Sequence, residues 1–299
     1  MKDRKLALIE KLKKQNEEND KLIEEMSEST AQLETLREVR KRVSEKGKTV
    51  KYLTGYDVID SEMGGFAEGS FINIAGGNFS GKTTLVLKVI SNIAEYARSV
   101  FFSFEMYENL LVTNKLTNTK IDDNLIVVQN KYLLMDIETI IRSEAKKGVK
   151  FFAIDSMMKI KVLDKMQDYQ KVSLISSTLS KLTQELGIII VLINQVALTD
   201  IREKRLEFKG SGDVSYDSDV SLFITVDEET ETRMLHCKKD RINERTWKRD
   251  ITDTNYIKRV VSNIVNNSTY KKRDNFNKAP ETTEYKMSNN ITADMPDIF

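Results

Sequence analysis

Residues 76–83 read Gly-Gly-Asn-Phe-Ser-Gly-Lys-Thr, an uninterrupted G-x-x-x-x-G-K-T phosphate-binding pattern. The stretch before it, Ser70-Phe-Ile-Asn-Ile-Ala75, is apolar and β-branched over the length of a buried strand, and Thr84-Leu-Val-Leu-Lys-Val-Ile90 after it starts a helix. A glycine-rich loop that matched by chance would lack that strand–loop–helix context. Glycines let successive backbone N–H groups turn inward around a phosphate, and the helix that follows points its unpaired N–H groups and positive dipole end at the same anion. Gly76, Gly77, Asn78, Phe79, Ser80, Gly81, Lys82, Thr83 and Thr84 are therefore the expected contacts to ATP or another nucleoside triphosphate. Lys82 is expected to reach the β- and γ-phosphates, and the Thr83 hydroxyl to ligate Mg²⁺.

Open α/β sheets bind ligands beyond the carboxyl ends of their strands, so the other groups of a hydrolytic site belong there. Ser99-Val-Phe-Phe-Ser-Phe-Glu105 reads as a strand closing on an acid, which makes Glu105 the candidate to orient and polarise the attacking water. Val149-Lys-Phe-Phe-Ala-Ile-Asp155 closes the same way, and Asp155 suits the acid that holds Mg²⁺ through water. A third run, Ile188-Ile-Ile-Val-Leu-Ile-Asn-Gln195, ends in an amide able to sense a γ-phosphate. A polar residue capping a strand accounts for any one of these ends, but less readily for three in succession behind one phosphate loop.

With those residues in view, the chain resembles the RecA-like motor domain of DnaB-type replicative helicases over roughly residues 50 to 255. The resemblance runs through Thr54-Gly-Tyr-Asp-Val-Ile-Asp60, Gly64-Gly65, the phosphate loop, Phe101-Phe-Ser-Phe-Glu-Met106, Ile154-Asp155, Asn194-Gln195, Gly210-Ser-Gly212, Asp217-Ser-Asp219 and Lys239-Asp-Arg241. Recombinases and circadian-clock ATPases share the fold and the loop, whereas Phe-Phe-Ser-Phe-Glu-Met looks like the helicase branch. The resemblance implies an α/β fold with a mostly parallel sheet and a ring, a hexamer, moving on single-stranded DNA. It implies roles for Glu105 as catalytic carboxylate, Asp155 as the Mg²⁺-associated acid and Gln195 as the link from γ-phosphate to the DNA loops. Lys239 and Arg241 match the basic pair that reaches the neighbouring subunit's nucleotide. A solvated basic turn between two strands is the plainer account of that pair. Two departures stand out: Ser156-Met-Met158 follows Asp155 where the family has an aromatic and polar stretch, and Ile242-Asn243 follows Arg241 where it has Asn-Gly. The amino-terminal collar domain of full-length relatives, which docks primase or loader, has no counterpart in the first 47 residues, and a compact form of this kind looks most like a phage or plasmid enzyme.

Two basic segments leave strand ends where the family lines its central channel. Lys159, Lys161 and Lys165 follow Asp155; Arg202, Lys204, Arg205 and Lys209 follow Gln195. They are the expected contacts to phosphates of single-stranded DNA, with affinity that is salt-dependent and indifferent to sequence. Phe208 is the only ring in the second segment, so charge should dominate over stacking, and solvated surface loops remain the competing account. Between the two, Val172, Ile175, Leu179, Leu182 and Leu186 step at three and four, as a core-facing helix does.

Three regions follow: 1–47, 48–262 and 263–299. The first is dense in Lys, Glu and Leu; Leu8, Leu12, Leu22, Met26, Leu33, Leu36 and Val43 form an a/d seam interrupted by Gln15, Asn19, Ser29 and Arg40. It reads as a long helix for oligomerisation or partner docking, or as a solvated helix that frays alone. Residues 263–299 hold both prolines and no periodic apolar face, and read as a flexible tail. Its acidic-aromatic end, Asp294-Met-Pro-Asp-Ile-Phe299, resembles tails that recruit polymerases or other replication partners, single-strand-binding proteins carrying similar ones.

Composition narrows the classes. Lys plus Arg is 47 against 46 Asp plus Glu, so net charge does not mark a nucleic-acid binder and any such contact must be local. With Cys237 the only cysteine and His236 the only histidine, an intrachain disulfide is excluded and a Cys/His metal site within one subunit is not expected. No apolar run reaches membrane-spanning length and the amino terminus is charged, which points to the cytoplasm, a host's if the source is viral. An NTP-driven ring helicase at a replication fork is the leading reading; a filament-forming recombinase and a regulatory or loader-type DNA-dependent ATPase stay open.

Overall fold

Runs such as Val100-Phe-Phe102, Phe151-Phe-Ala-Ile154 and Ile188–Ile193 have no wet side, so each must be covered on both faces, which a parallel sheet between two helical layers provides. The computed structural model describes residues 34–47, 49–163, 166–196, 206–208, 213–227 and 229–252. The chain divides into two compact units, 1–48 and 49–299. In the first, α1 (Leu36–Lys46) starts with a capping box: the Thr35 hydroxyl accepts the Glu38 N–H, and the Glu38 carboxylate accepts the Thr35 N–H. It ends at Gly47, whose φ of 76° suits a residue without Cβ. Leu36 and Val43 of the expected seam are exposed. Its remaining apolar positions, and the tail from residue 263, lie outside the described residues.

The second unit runs β1 (Lys51–Tyr52), α2 (Asp57–Met63), β2 (Phe66–Ala67), β3 (Phe71–Gly76), α3 (Lys82–Ala94), β4 (Ser99–Ser103), α4 (Glu108–Asn114), β5 (Leu125–Val128), α5 (Leu134–Lys146), β6 (Phe151–Asp155), α6 (Asp168–Leu186), β7 (Ile189–Ile193), α7 (Asp213–Asp217), β8 (Val220–Val226), β9 (Arg233–Asp240) and β10 (Trp247–Asp250). The main sheet has the order β5-β4-β6-β7-β3-β8-β9-β10. From β5 to β8 all neighbours are parallel; β9 and β10 continue the sheet antiparallel. The carboxyl ends of the six parallel strands thus form one edge.

Alternation sends neighbouring side chains to opposite layers. Phe101 and Phe151 join Ile72, Ile74 and Val191 under α3, which contributes Leu85, Val86, Val89, Ile90 and Ile93. Phe102 and Phe152 join Phe71, Ile154, Ile190 and Leu192 under α5 and α6. Full burial of each ring is worth about 1.5–3 kcal/mol, so the paired phenylalanines of β4 and β6 hold the sheet to both layers. Val172, Ile175, Leu179 and Leu182 are the buried stripe of α6, as their spacing predicts.

Asn73, fully buried in an otherwise apolar strand, is the exception. Its amide donates to Ser218 Oγ at 2.8 Å, and the Asn194 amide donates to Asn73 Oδ1. Ser218 Oγ in turn donates to the Val214 carbonyl. The phosphate-loop strand, the exit of β7 and α7 are joined by this dry chain, whose members are costly to unpair.

Candidate nucleotide-binding site

Register puts the candidate groups on one edge. Ser103 of β4 pairs with Asp155 of β6, Ile154 pairs with Leu192 of β7, and Ile74 of β3 with Ile193. Asp155 therefore stands level with the last full row of β7 and β3, and the phosphate loop starts two residues beyond that row. Glu105 and Gln195 also lie two residues past it, because β4 ends at Ser103 and β7 at Ile193 rather than at the acid and the amide that the sequence suggested. The expected strand ends were overestimated for a simple reason: polar residues just past the pairing continue the extended chain without a ladder partner.

The loop closes on α3 as its residues require. Gly81, N-cap of α3, sits at φ 100°. Gly76 has no room for a side chain: a Cβ there would meet the Ile224 carbonyl and Ser80 Oγ at 2.6 Å each. Phe79 adopts φ 59° and is 99% exposed, an unusual conformation and setting for an aromatic residue. Lys82 Nζ donates to the Gly77 carbonyl at 2.6 Å. Burial lowers the Lys82 pKa, opposed by the carboxylates of Asp155 and Glu105.

Thr83 Oγ1 donates to Asp155 Oδ2 at 2.7 Å. Asp155 is 2% exposed, and burial lifts its pKa from 3.8 to about 6; the Thr83 bond and Lys82 pull the other way, and Glu105 pushes with burial. Its second oxygen, Oδ1, is buried without a hydrogen-bond partner among the described residues, as is Ser80 Oγ. A hydroxyl, a lysine and a buried carboxylate with an unmatched acceptor are the donor set that suits a hydrated divalent cation beside a polyphosphate. Glu105, exposed, accepts a hydrogen bond from Ser156 Oγ at 2.5 Å. Gln195 is partly buried, and Asn78 and Thr84 are exposed.

Lys239 and Arg241 are not brought to this edge. Asp240 pairs with Val220, the first residue of β8, and Val220 with Ile72, whereas the phosphate loop leaves beyond Gly76 and Ile224. Four residues of strand, about 13 Å, separate the two levels before the loop itself is counted. At that opposite edge Arg241 binds Asp219 Oδ1 at 2.9 Å and the Tyr216 carbonyl at 3.0 Å. Lys239 Nζ donates to the carbonyls of Ser215 at 2.6 Å and Tyr216 at 3.1 Å, at the end of α7.

Lys159 and Lys161 are exposed after β6, with Lys161 Nζ 5.7 Å from the Tyr132 ring centroid. Lys165, Arg202, Lys204, Arg205 and Lys209 lie outside the described residues. Phe208, the one ring expected in the second basic segment, turns inward instead, 7% exposed and 4.7 Å from Phe223 centroid to centroid. Sequence reading treated Ser156 only as a departure and did not foresee Asp219 as the holder of Arg241; neither contact has a local sequence signal, since each joins distant segments.

The family model of the DnaB-like helicase C-terminal domain matches residues 52–126, the stretch that carries the loop and Glu105. The fold is RecA-like. The replicative DNA helicase DnaB of Treponema pallidum is 26% identical over 244 residues, covering 67% of this chain and 54% of that protein. The DNA repair protein RadA of Campylobacter jejuni is 25% identical over 236 residues, covering 74% and 50%. A solved DnaB-like replicative helicase, described with its interactions with primase, superposes with a TM-score of 0.60 at 17% identity, over 79% of this chain and 68% of that one. The chain spans about half the length of these curated relatives. Among the described residues, no helix is long and apolar enough to cross a membrane.

Proposed function

We propose that this chain is the motor of a cytoplasmic ring helicase, a hexamer, that hydrolyses ATP or another NTP with Mg²⁺, moves along single-stranded DNA and separates duplex at a replication fork. The observation that carries the reading is the cluster of Lys82, Thr83, Asp155 and Glu105 on one sheet edge with Lys239 and Arg241 on the other. Backbone N–H groups of residues 77–83 and Lys82 hold the phosphates, and Thr83 with Asp155 holds the cation. Mg²⁺, when bound, neutralises charge on the transferred phosphoryl group. Glu105 orients water in line with the γ-phosphate, and Gln195 reports the phosphate's presence to the segment after β7.

Because the basic pair lies at the far edge, it serves a nucleotide held by another copy, where Arg241 stabilises charge developing on the phosphoryl group. Lys159, Lys161, Lys165, Arg202, Lys204, Arg205 and Lys209 grip DNA phosphates, and turnover alters that grip subunit by subunit. Primase, loader, polymerase and single-strand-binding protein are the partner classes this role brings. The similarity to a DNA repair protein, RadA, keeps a second reading in view, a recombinase that coats DNA as an open filament.

Hydrolysis measured against protein concentration, with particle size measured with and without nucleotide, tests the proposal. Activity that rises with assembly, is stimulated by single-stranded DNA and accompanies strand separation by closed rings supports it. A lone protomer as active as concentrated material, indifferent to Arg241→Ala, refutes it. Filaments without strand separation favour the second reading.

A further inference from the structure

Glu105 occupies an exposed turn past the end of β4, where a glutamate side chain ordinarily samples several rotamers and holding any one of them costs entropy. A water-orienting carboxylate needs a single position. Two ties supply it. The Phe104 N–H donates to the Asp155 carbonyl at 2.9 Å, fastening the turn's backbone to the end of β6. The Ser156 hydroxyl, on the next residue along that same segment, donates to Glu105 Oε1 at 2.5 Å.

Ser156 itself has little freedom. It is 1% exposed, and its carbonyl accepts the Lys159 N–H at 3.0 Å in the short helical turn that follows. A buried, fixed hydroxyl holding an exposed carboxylate transfers rigidity from the sheet to the part of the site that must be aimed. Glu105 stands near the Asp155 carboxylate, which repels it, and the Lys82 ammonium, which attracts it; the charges around it therefore do not favour one rotamer as a directed hydrogen bond does. Ser156 has one hydroxyl proton, and that proton is committed to Glu105.

We propose that Ser156 is the positioning residue for the Glu105 carboxylate, holding it beside the phosphate loop in the orientation from which it aims water. The inference deepens the proposed hydrolytic function and rests on it. It also assigns a purpose to the residue at which the chain departs from the family it resembles.

The test uses the full chain carrying Ser156→Ala or the nearly isosteric Ser156→Cys, whose S–H is a weak donor. Each is combined with wild-type Glu105 and with Glu105→Gln, and steady-state hydrolysis is followed with Mg²⁺·ATP and single-stranded DNA. Loss of aim alone should lower kcat about 10- to 100-fold with KM within about two-fold. In the Glu105→Gln background, neither Ser156 substitution should lower the residual rate further, because nothing is left to position. An unchanged kcat in both single variants overturns the assignment. So does a multiplicative loss on top of Glu105→Gln, or a rise in KM that accounts for the whole effect. Absence of hydrolysis by the wild-type chain at every concentration overturns the functional reading itself, and with it the role of Ser156; a wild type that hydrolyses and needs Glu105 leaves only the Ser156 assignment at stake.

Discussion

Replacing Asp155 with Asn removes a charge that the fold keeps nearly dry. Burial raises that carboxyl from 3.8 to about 6, so the folded state holds its proton over a range in which the unfolded chain has lost it. Well below pH 3.8 both states are neutral and the group costs nothing. As pH climbs the penalty grows, and above about 6 it is complete. The shift corresponds to about 3 kcal/mol of lost stability at pH 7.5, about half of that at pH 5 and only a small part of it at pH 4. Asn keeps the shape without the charge, and it gives back part of the gain because the attraction of Lys82 is lost and the Thr83 bond weakens. A domain of this size moves roughly 2–4 °C per kcal/mol, so the Asn protein should melt about 5 °C higher at pH 7.5. Thermal unfolding in EDTA, wild type against variant, at pH 7.5 and pH 4 measures it. The order should reverse with ligand: Mg²⁺·nucleotide should raise the wild-type Tm far more than the variant's. An Asn protein less stable than wild type at pH 7.5, or a gap of the same size at pH 4, refutes the view that Asp155 is held as a costly buried charge for a cation.

Glu105→Gln should bind a fluorescent nucleotide with wild-type affinity and associate normally, while phosphate release falls at least about 100-fold. Arg241→Ala breaks an ion pair whose guanidinium is about half exposed, so the protomer should lose under about 1 kcal/mol in urea unfolding. Hydrolysis by concentrated material should nonetheless drop about 1000-fold, and a drop that merely tracks unfolding would count against a role in another copy's site. Gly76→Ala forces a methyl group against the Ile224 carbonyl and Ser80 Oγ; it should cost about 1–3 kcal/mol by urea midpoint and weaken nucleotide binding at the same time.

Sequence carried the strand–loop–helix unit around residues 71–94 because each part has a local cause: an apolar run, a glycine that must take φ 100°, and a helix whose apolar residues face one layer. The doubled phenylalanines of β4 and β6 were legible as strands, though not as residues divided between two layers. Asn73 was not legible as a buried tie, since its partners Asn194 and Ser218 are more than a hundred residues away. The same limit hid the contacts of Ser156 with Glu105 and Asp219 with Arg241. Phe208 failed in the other direction: beside several cations it reads as part of a wet segment, yet it packs into the buried cluster that holds Phe223.

The placement of the phosphate loop and of Arg241 at opposite margins of one sheet limits how copies can be arranged. A guanidinium offered from one margin and a pocket opened at the other are unlike surfaces: a two-fold pair could join them only by laying both margins of each copy into one interface, whereas a contact that joins them once per pair is head-to-tail. A head-to-tail assembly of this kind runs in a single direction around a circle or along a helix, each member giving once and receiving once. Such a procession has no natural pair to rest in, so its smallest complete form is set by the angle at which one copy meets the next.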